Sequence, residues 1–343
     1  MRKLIYIALL FISFSCEKDV LGPQFADGGN IDNTNRKVFI LNEGTFTWGN
    51  ASVTQYTPNT QTTTSSLFNT ENNVPLGDVA QSMYRFNDKY YLVINNSDKI
   101  EVVDTTHFHS VATITGLNSP RYFLPINNTE AYVSSLYANE IYRVNLESNT
   151  ITQSTAIPDW TEQMVYHNGK VFATGVNNGK LYVLNTNNHL LTDSLTLTKG
   201  ASSMVLDINQ KLWVMCSGGI QQQNPALYKI NPFTLTIEQT FTFSDNMQSP
   251  GNLCISPDLQ TLYFLNEDVY QMEITDAQLP TNFIIDNGSK TFYALDIDPY
   301  NGDIYVADAI DYVQQGKIYR YNQNIELIND FDAGIIPGFF WFE

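Results

Sequence analysis

The sequence predicts an all-β fold, a seven-bladed β-propeller with four-stranded blades and a ring closed by the C-terminal strand. Three observations predict it. The first is a repeat of short strand-like segments, each built on one aromatic: KVFILNE at 37–43, KYYLVIN at 89–95, EAYVSSL at 130–136, KVFATGV at 170–176, KLWVMCS at 211–217, TLYFLNE at 261–267 and DIYVADA at 303–309. Their aromatics Phe39, Tyr91, Tyr132, Phe172, Trp213, Tyr263 and Tyr305 lie 52, 41, 40, 41, 50 and 42 residues apart, a period that fits four short strands per unit. The second is composition: only 15% of residues are charged while 43% are hydrophobic, as expected of a turn-rich chain with a substantial core. The third is an inner strand missing before the first anchor and present, as Pro337-Gly338-Phe339-Phe340-Trp341-Phe342, at the end of the chain.

The elements follow in order. Residues 1–15 read as a secretory signal, with Arg2 and Lys3 ahead of an apolar run from Leu4 to Ile12 that is too short to span a bilayer. Small residues Ser13 and Ser15 precede Cys16, a pattern that resembles the lipobox of bacterial lipoproteins and implies lipidation at Cys16. Glu17-Lys18-Asp19 resembles a signal for export to the outer face of the outer membrane, and the rest of 16–36 reads as a flexible tether. The propeller is expected over 37–343.

Within each unit an inner strand precedes the anchor, as in Gln81-Ser82-Met83, Arg121-Tyr122-Phe123, Glu162-Gln163-Met164, Ser202-Ser203-Met204, Gly251-Asn252-Leu253 and Phe292-Tyr293-Ala294-Leu295. A third strand follows, closed by a polar residue suited to a tight turn: Thr57, Asp104, Asn145, Asn185, Asn231 and Asn322. The sixth unit, around Val269 to Ile274, diverges. Cys216 and Cys254 fall in apolar strands, where buried thiols are expected ahead of a disulfide.

Four-stranded blades sort their loops onto two faces. The face holding the second-to-third and blade-to-blade loops is the richer, with NEGTFTWGNA at 42–51, SSLYAN at 134–139, SGGIQQQNP at 217–225 and DAIDYVQQG at 308–316. Exposed aromatics offer flat apolar area and amides fix orientation, so this face is the expected recognition surface. Its aromatic candidates are Phe46, Trp48, Tyr137, Trp160 and Tyr312. Trp160 also suits packing between blades, Arg121 also suits pairing with Glu162, and Gln221 to Asn224 also reads as a solvated loop.

A formal charge of −17, from 35 acidic and 18 basic residues, disfavours nucleic acid as a partner. All four histidines, His107, His109, His167 and His189, fall in turns of the opposite face, and no GxSxG, HExxH, EF-hand, GxGxxG or P-loop occurs. Carboxylates on the rich face, Glu43, Asp98, Glu162, Glu267, Asp308 and Asp311, leave acid–base or calcium chemistry open. Spacing alone does not assemble them, so binding is expected rather than catalysis, with no catalytic residue and no metal or catalytic cofactor.

The runs NEGTFTWGN, PLGDVAQSM, NNSDKIEVVD, LNSPRYF, AYVSSLYANEIYRVN, TEQM and KLWVMCSGG resemble the surface lipoprotein propellers of the YncE-like group that carry the DUF5074 domain, from about Lys37 to Phe342. Among these are the cobalamin-binding lipoproteins of the BtuG family. The resemblance implies a lipid-anchored protein on the outer face of the outer membrane that captures cobalamin or a related corrinoid and passes it to a TonB-dependent transporter. By loop placement, Trp48, Tyr137, Trp160 and Tyr312 are then expected at the ring edges or nucleotide loop, and Phe46, Tyr122, Asn42, Asn266 and Asp308 are expected among the ligand-binding residues. Asn95, Arg121, Glu162, Gln163 and Ser217 are expected at amide or phosphate groups. The alternatives are a protein-interaction module, a binder of another cargo accessory to such a transporter, or an enzyme resembling the propeller lactonases.

Overall fold

The computed structural model describes residues 36–343; the signal, Cys16 and the tether to residue 35 lie outside the described residues. Seven antiparallel sheets follow one another around a ring. Blade two is typical, with Ala80–Phe86, Lys89–Ile94, Lys99–Asp104 and Ser110–Ile114 in sequence order from the inside out. Blade one is assembled from both ends of the body: Pro337–Phe342 pairs with Val38–Asn42, which pairs with Ser52–Thr57 and then Thr62–Thr64. This closure removes an open sheet edge.

Blade six has three strands, Gly251–Ile255, Thr261–Asn266 and Asp268–Glu273. Where the fourth would run, the segment DAQLPTNFII at 276–285 lacks the alternation of a strand and contains Pro280. It is tied to blade six by a bridge from Ile285 to Val269, by Leu279 packed against the core and by Asp276 accepting Glu273 N–H.

The repeat aromatics form one layer. Each second strand pairs its aromatic with an inner-strand residue: Phe39 with Trp341, Tyr91 with Tyr84, Tyr132 with Leu124, Phe172 with Val165, Trp213 with Val205, Tyr263 with Cys254 and Tyr305 with Asp296. The core lies between blades, as where Val205 and Trp213 of blade five pack with Leu253, Leu262 and Phe264 of blade six. Phe39, Tyr91, Tyr132, Phe172, Trp213 and Tyr305 are all buried, each worth about 1.5–3 kcal/mol of apolar transfer. Cys216 and Cys254 are buried free thiols, and burial pushes both pKa values up.

The polar residues that close the third strands cap the lower turns. Asp104 accepts the backbone N–H of Thr106 and His107, Asn145 those of Glu147 and Ser148, Asn185 those of Asn187 and Asn188, and Asn231 those of Phe233 and Thr234. Arg36, which the sequence reading placed in the tether, is buried; it pairs with Asp298 and lies 4.6 Å over the Tyr300 ring. The described chain therefore enters at the lower end of the ring.

Candidate ligand-binding face

Backbone hydrogen bonds tie the second-to-third loops to the blade-to-blade crossovers: Ala51 N–H to Gly77 O, Leu136 to Ser119, Val176 to Trp160, Ser217 to Gly200 and Ala309 to Thr291. Both sets of loops thus share the upper face. Acidic side chains reinforce it, with Asp78 accepting from Thr47 N–H at 2.9 Å, Asp98 from Ser119 N–H at 2.7 Å and Asp159 from Asn177 N–H at 3.0 Å.

At the upper end of all seven inner strands the register slips, between Leu41 and Asn42 opposite Gly338 in blade one and within the inner strand in the other six. The residues at these bulges are Gly338, Gln81, Arg121 with Tyr122, Glu162 with Gln163, Ser202, Asn252 with Leu253, and Tyr293. A bulge adds a residue to one strand and re-aims its side chain. Seven such devices place a ring of largely polar groups at the mouth of the central channel.

Two linked networks occupy this mouth. Arg121 Nε donates to Glu162 Oε1 at 2.7 Å, its Nη1 donates to Gln81, and its guanidinium lies 5.8 Å from the centre of the Trp160 ring. The Trp160 indole N–H also donates to Glu162. Across the mouth, Tyr293 O–H donates to Glu43 Oε1 at 2.9 Å, and Tyr312 packs edge-on against Tyr293 at 5.8 Å. Gly338 permits this approach, since a Cβ there would come within 2.8 Å of Glu43 Oε1. Desolvation raises the pKa of Glu162 against the pull of Arg121, and raises that of Glu43 against the Tyr293 hydrogen bond. Burial likewise raises Tyr122 and Tyr293.

Below the mouth the inner strands line a small cavity. A cavity of about 70 Å³, room for a few waters at most, is lined by Tyr122, Gln163, Asn252, Cys254, Asp296 and Phe340 among others. Asp296 is the single carboxylate in the layer that pairs with the repeat aromatics. Among the described residues its carboxyl accepts one hydrogen bond, from Ile297 N–H at 2.8 Å, and desolvation raises its pKa to about 7.

The residues expected at the site fall into three groups. Phe46, Trp48, Tyr137 and Tyr312 stand in solvent, 65%, 74%, 66% and 46% exposed. Arg121, Tyr122, Trp160, Glu162 and Gln163 gather at the mouth, where the Arg121–Glu162 pair is formed and Trp160 is half-buried. Asn42, Asn95 and Asp308 are instead sealed into the scaffold. Asn42 bonds to Thr54 Oγ1 and accepts Gly334 N–H, Asn95 donates to Pro120 O, and Asp308 accepts Thr291 and Ile310 N–H. Their hydrogen-bonding capacity goes to joining loops and blades, which takes them off a ligand-facing surface. Ser217 and Asn266 are half-buried at the upper ends of blades five and six. Gln81, Asn252, Tyr293 and Asp296 complete the mouth and channel; the sequence marks the first three only as inner-strand residues, because a one-residue bulge leaves no mark in the repeat, and Asp296 lies one residue past the inner strand expected from the sequence.

The family model described as a domain of unknown function, DUF5074, matches residues 36–342. The chain belongs to this family. No curated protein sequence matches it. Among solved structures, it is similar to a quinonprotein alcohol dehydrogenase-like protein from Bacteroides thetaiotaomicron, with a TM-score of 0.72 at 15% identity over 91% of this chain and 79% of that one. It is also similar to two proteins provisionally assigned as 6-phosphogluconolactonases. The one from Bacteroides uniformis has a TM-score of 0.65 at 15% identity, covering 90% and 100% of the two chains. The one from Bacteroides fragilis has a TM-score of 0.60 at 14% identity, covering 92% and 100%. At such identities the likeness is one of fold. No helix among the described residues is long and apolar enough to cross a membrane.

Proposed function

We propose that this DUF5074 protein is a capture protein, which binds cobalamin or a related corrinoid across its upper face and passes it to a TonB-dependent outer-membrane transporter. The observation that carries this reading is the conjunction of four solvent-standing aromatics with a ring of polar bulge residues on one face. A corrinoid is a broad rigid disc with apolar edges and amide arms, so it matches flat aromatic area around fixed donors and acceptors. The cavity of about 70 Å³ beneath the mouth is far smaller than a corrinoid, which favours a disc lying over the mouth. Binding rather than catalysis is favoured because the carboxylates Glu43, Glu162 and Asp308 are already engaged by Tyr293, by Arg121 and Trp160, and by backbone N–H groups.

With this function we propose lipidation at Cys16 and residence on the extracellular side of the outer membrane. A second reading, a module that docks directly on the transporter without small-molecule cargo, is supported by the exposed apolar residues Ile220, Met247 and Val313 in upper loops. Calorimetric titration of residues 36–343 with cyanocobalamin separates the two. One-to-one binding, weakened about tenfold or more by Trp48→Ala, is expected for an exposed aromatic that becomes buried against ligand. Absence of binding to a folded propeller would overturn the corrinoid reading and leave the docking module.

A further inference from the structure

The lower end of blade two carries a cluster that the upper face does not use. The turn after Lys99–Asp104 reads Asp104-Thr105-Thr106-His107-Phe108-His109. Phe108 is buried at a left-handed φ of 60°, and its ring centre lies 5.5 Å from that of Phe39 and 5.6 Å from that of Tyr90. Its neighbours His107 and His109 are left together in solvent, with their rings stacked 5.4 Å apart at 19°. Asp104 is held beside them by three backbone N–H groups, those of Thr106 at 2.9 Å, His107 at 2.7 Å and His109 at 3.0 Å. These bonds, that of His107 first, keep its carboxyl below the usual carboxylate range and so ionised. Two of them fall on Oδ1 and one on Oδ2, which leaves Oδ2 with a free lone pair.

A fourth donor is brought in by a clasp. Asn72, the last residue of the helix Leu67–Asn72, donates to Phe108 O at 3.0 Å and accepts Ser110 N–H at 2.7 Å. The preceding residue, Glu71, thereby places Oε2 3.8 Å from His109 Nε2. His107 Nδ1 lies 3.8 Å from Asp104 Oδ1, and the donor atoms of Asp104, His107 and His109 all lie within 4.8 Å of one another. Zinc–ligand bonds of about 2.0–2.1 Å in a tetrahedron set donors roughly 3.4 Å apart, a distance that rotation of exposed side chains reaches without moving the tied backbone.

We propose that Asp104, His107, His109 and Glu71 form a surface site for a divalent transition-metal cation, with zinc as the cation that best suits two imidazoles and two carboxylates. Hard cations such as magnesium and calcium prefer all-oxygen shells and fit the donor set less well. The site lies on the face opposite the capture surface and stands independently of the corrinoid reading.

The test is titration of the full chain with zinc chloride by calorimetry, and with cobalt chloride by visible absorption, which reports tetrahedral nitrogen–oxygen coordination. One ion per chain is expected. The double variant His107→Ala/His109→Ala should weaken it at least tenfold and abolish the cobalt absorption, because it removes direct ligands. Glu71→Gln should weaken it about threefold, as loss of one carboxylate at an exposed site. Single variants His107→Asn and His109→Gln keep a polar side chain at each solvent position and provide the same comparison should the double variant lose its circular-dichroism spectrum. No saturable binding by the unaltered chain, or equal affinity in the histidine variants, would overturn the proposal.

Discussion

Replacing Asp296 by Asn should stabilise the protein at alkaline pH and leave it unchanged in acid. Asp296 lies in the channel wall with one hydrogen bond, from Ile297 N–H, and its pKa is raised from 3.8 to about 7, mainly by desolvation, with Asp298 adding repulsion. Because the folded pKa lies above the unfolded one, the folded state holds the proton more tightly. The carboxyl therefore costs nothing below about pH 4, costs progressively more stability as pH rises to about 7, and costs a constant amount above that. A shift of about three units corresponds to roughly 4 kcal/mol, an upper bound that water in the channel reduces, so about 2–4 kcal/mol is expected. Asparagine has nearly the same shape and no charge to lose. Urea unfolding of both proteins between pH 4.5 and pH 8.5 measures the effect as a difference, in which contributions common to both, such as those of Glu43 and Glu162, largely cancel. The variant should match the unaltered protein near pH 4.5 and exceed it by the full amount at pH 8. A difference that does not vary with pH, or an unaltered protein that is the more stable at pH 8, would refute the desolvated carboxyl as the cause.

The remaining predictions concern closure and the mouth. Deleting residues 337–343 removes the inner strand of blade one with the buried side chains of Phe340, Trp341 and Phe342, a loss of several kcal/mol of apolar burial alone. The truncated chain should give no cooperative thermal transition, whereas a cooperative melt close to that of the intact chain would show that the ring does not depend on this strand. Arg121→Ala leaves Glu162 buried without its cation, and should cost about 3–5 kcal/mol in urea unfolding. Adding Glu162→Gln should recover part of that loss, and a double variant no better than the single would refute the pairing argument.

The fold was legible because its determinants are local and repeated. An aromatic such as Tyr132 or Trp213 at a fixed point of every unit reports a layer that must be filled seven times, and the orphan first anchor Phe39 required a partner strand that only Pro337–Phe342 could supply. The face was legible for the same reason, since topology alone assigns loops to ends of the blades. Individual roles were less so. Asn42 and Trp48 fall in one loop as the sequence reads and both are types that bind ligands, yet the first ends the strand Val38–Asn42 and is fully buried, and the second stands in solvent. What separates them is long-range contact, as in the bond from Gly334 N–H to Asn42, across 292 residues of chain. In blade six the sequence pointed to the wrong strand: Val269 to Ile274 looked divergent, yet Asp268–Glu273 pairs regularly with Thr261–Asn266, and it is the fourth strand that is missing.

The division between the anchor layer and the bulge layer argues for where chemistry resides in this fold. The second-strand anchors are aromatic in all seven blades, Phe, Tyr or Trp, because each must fill similar space against its neighbours. The bulges above them hold Gly338, Gln81, Arg121 with Tyr122, Glu162 with Gln163, Ser202, Asn252 with Leu253, and Tyr293, so no single residue type recurs around the ring as the aromatic anchors do. A bulged residue lies outside the regular ladder, so its side chain is less constrained by blade packing and more by what it meets at the mouth. The same ring can thus carry a different constellation without altering the anchor layer that holds it together. Asp296 lies in the layer below and breaks its apolar rule. This is why its replacement should be read in stability, and replacements at the mouth and its surrounding loops in binding.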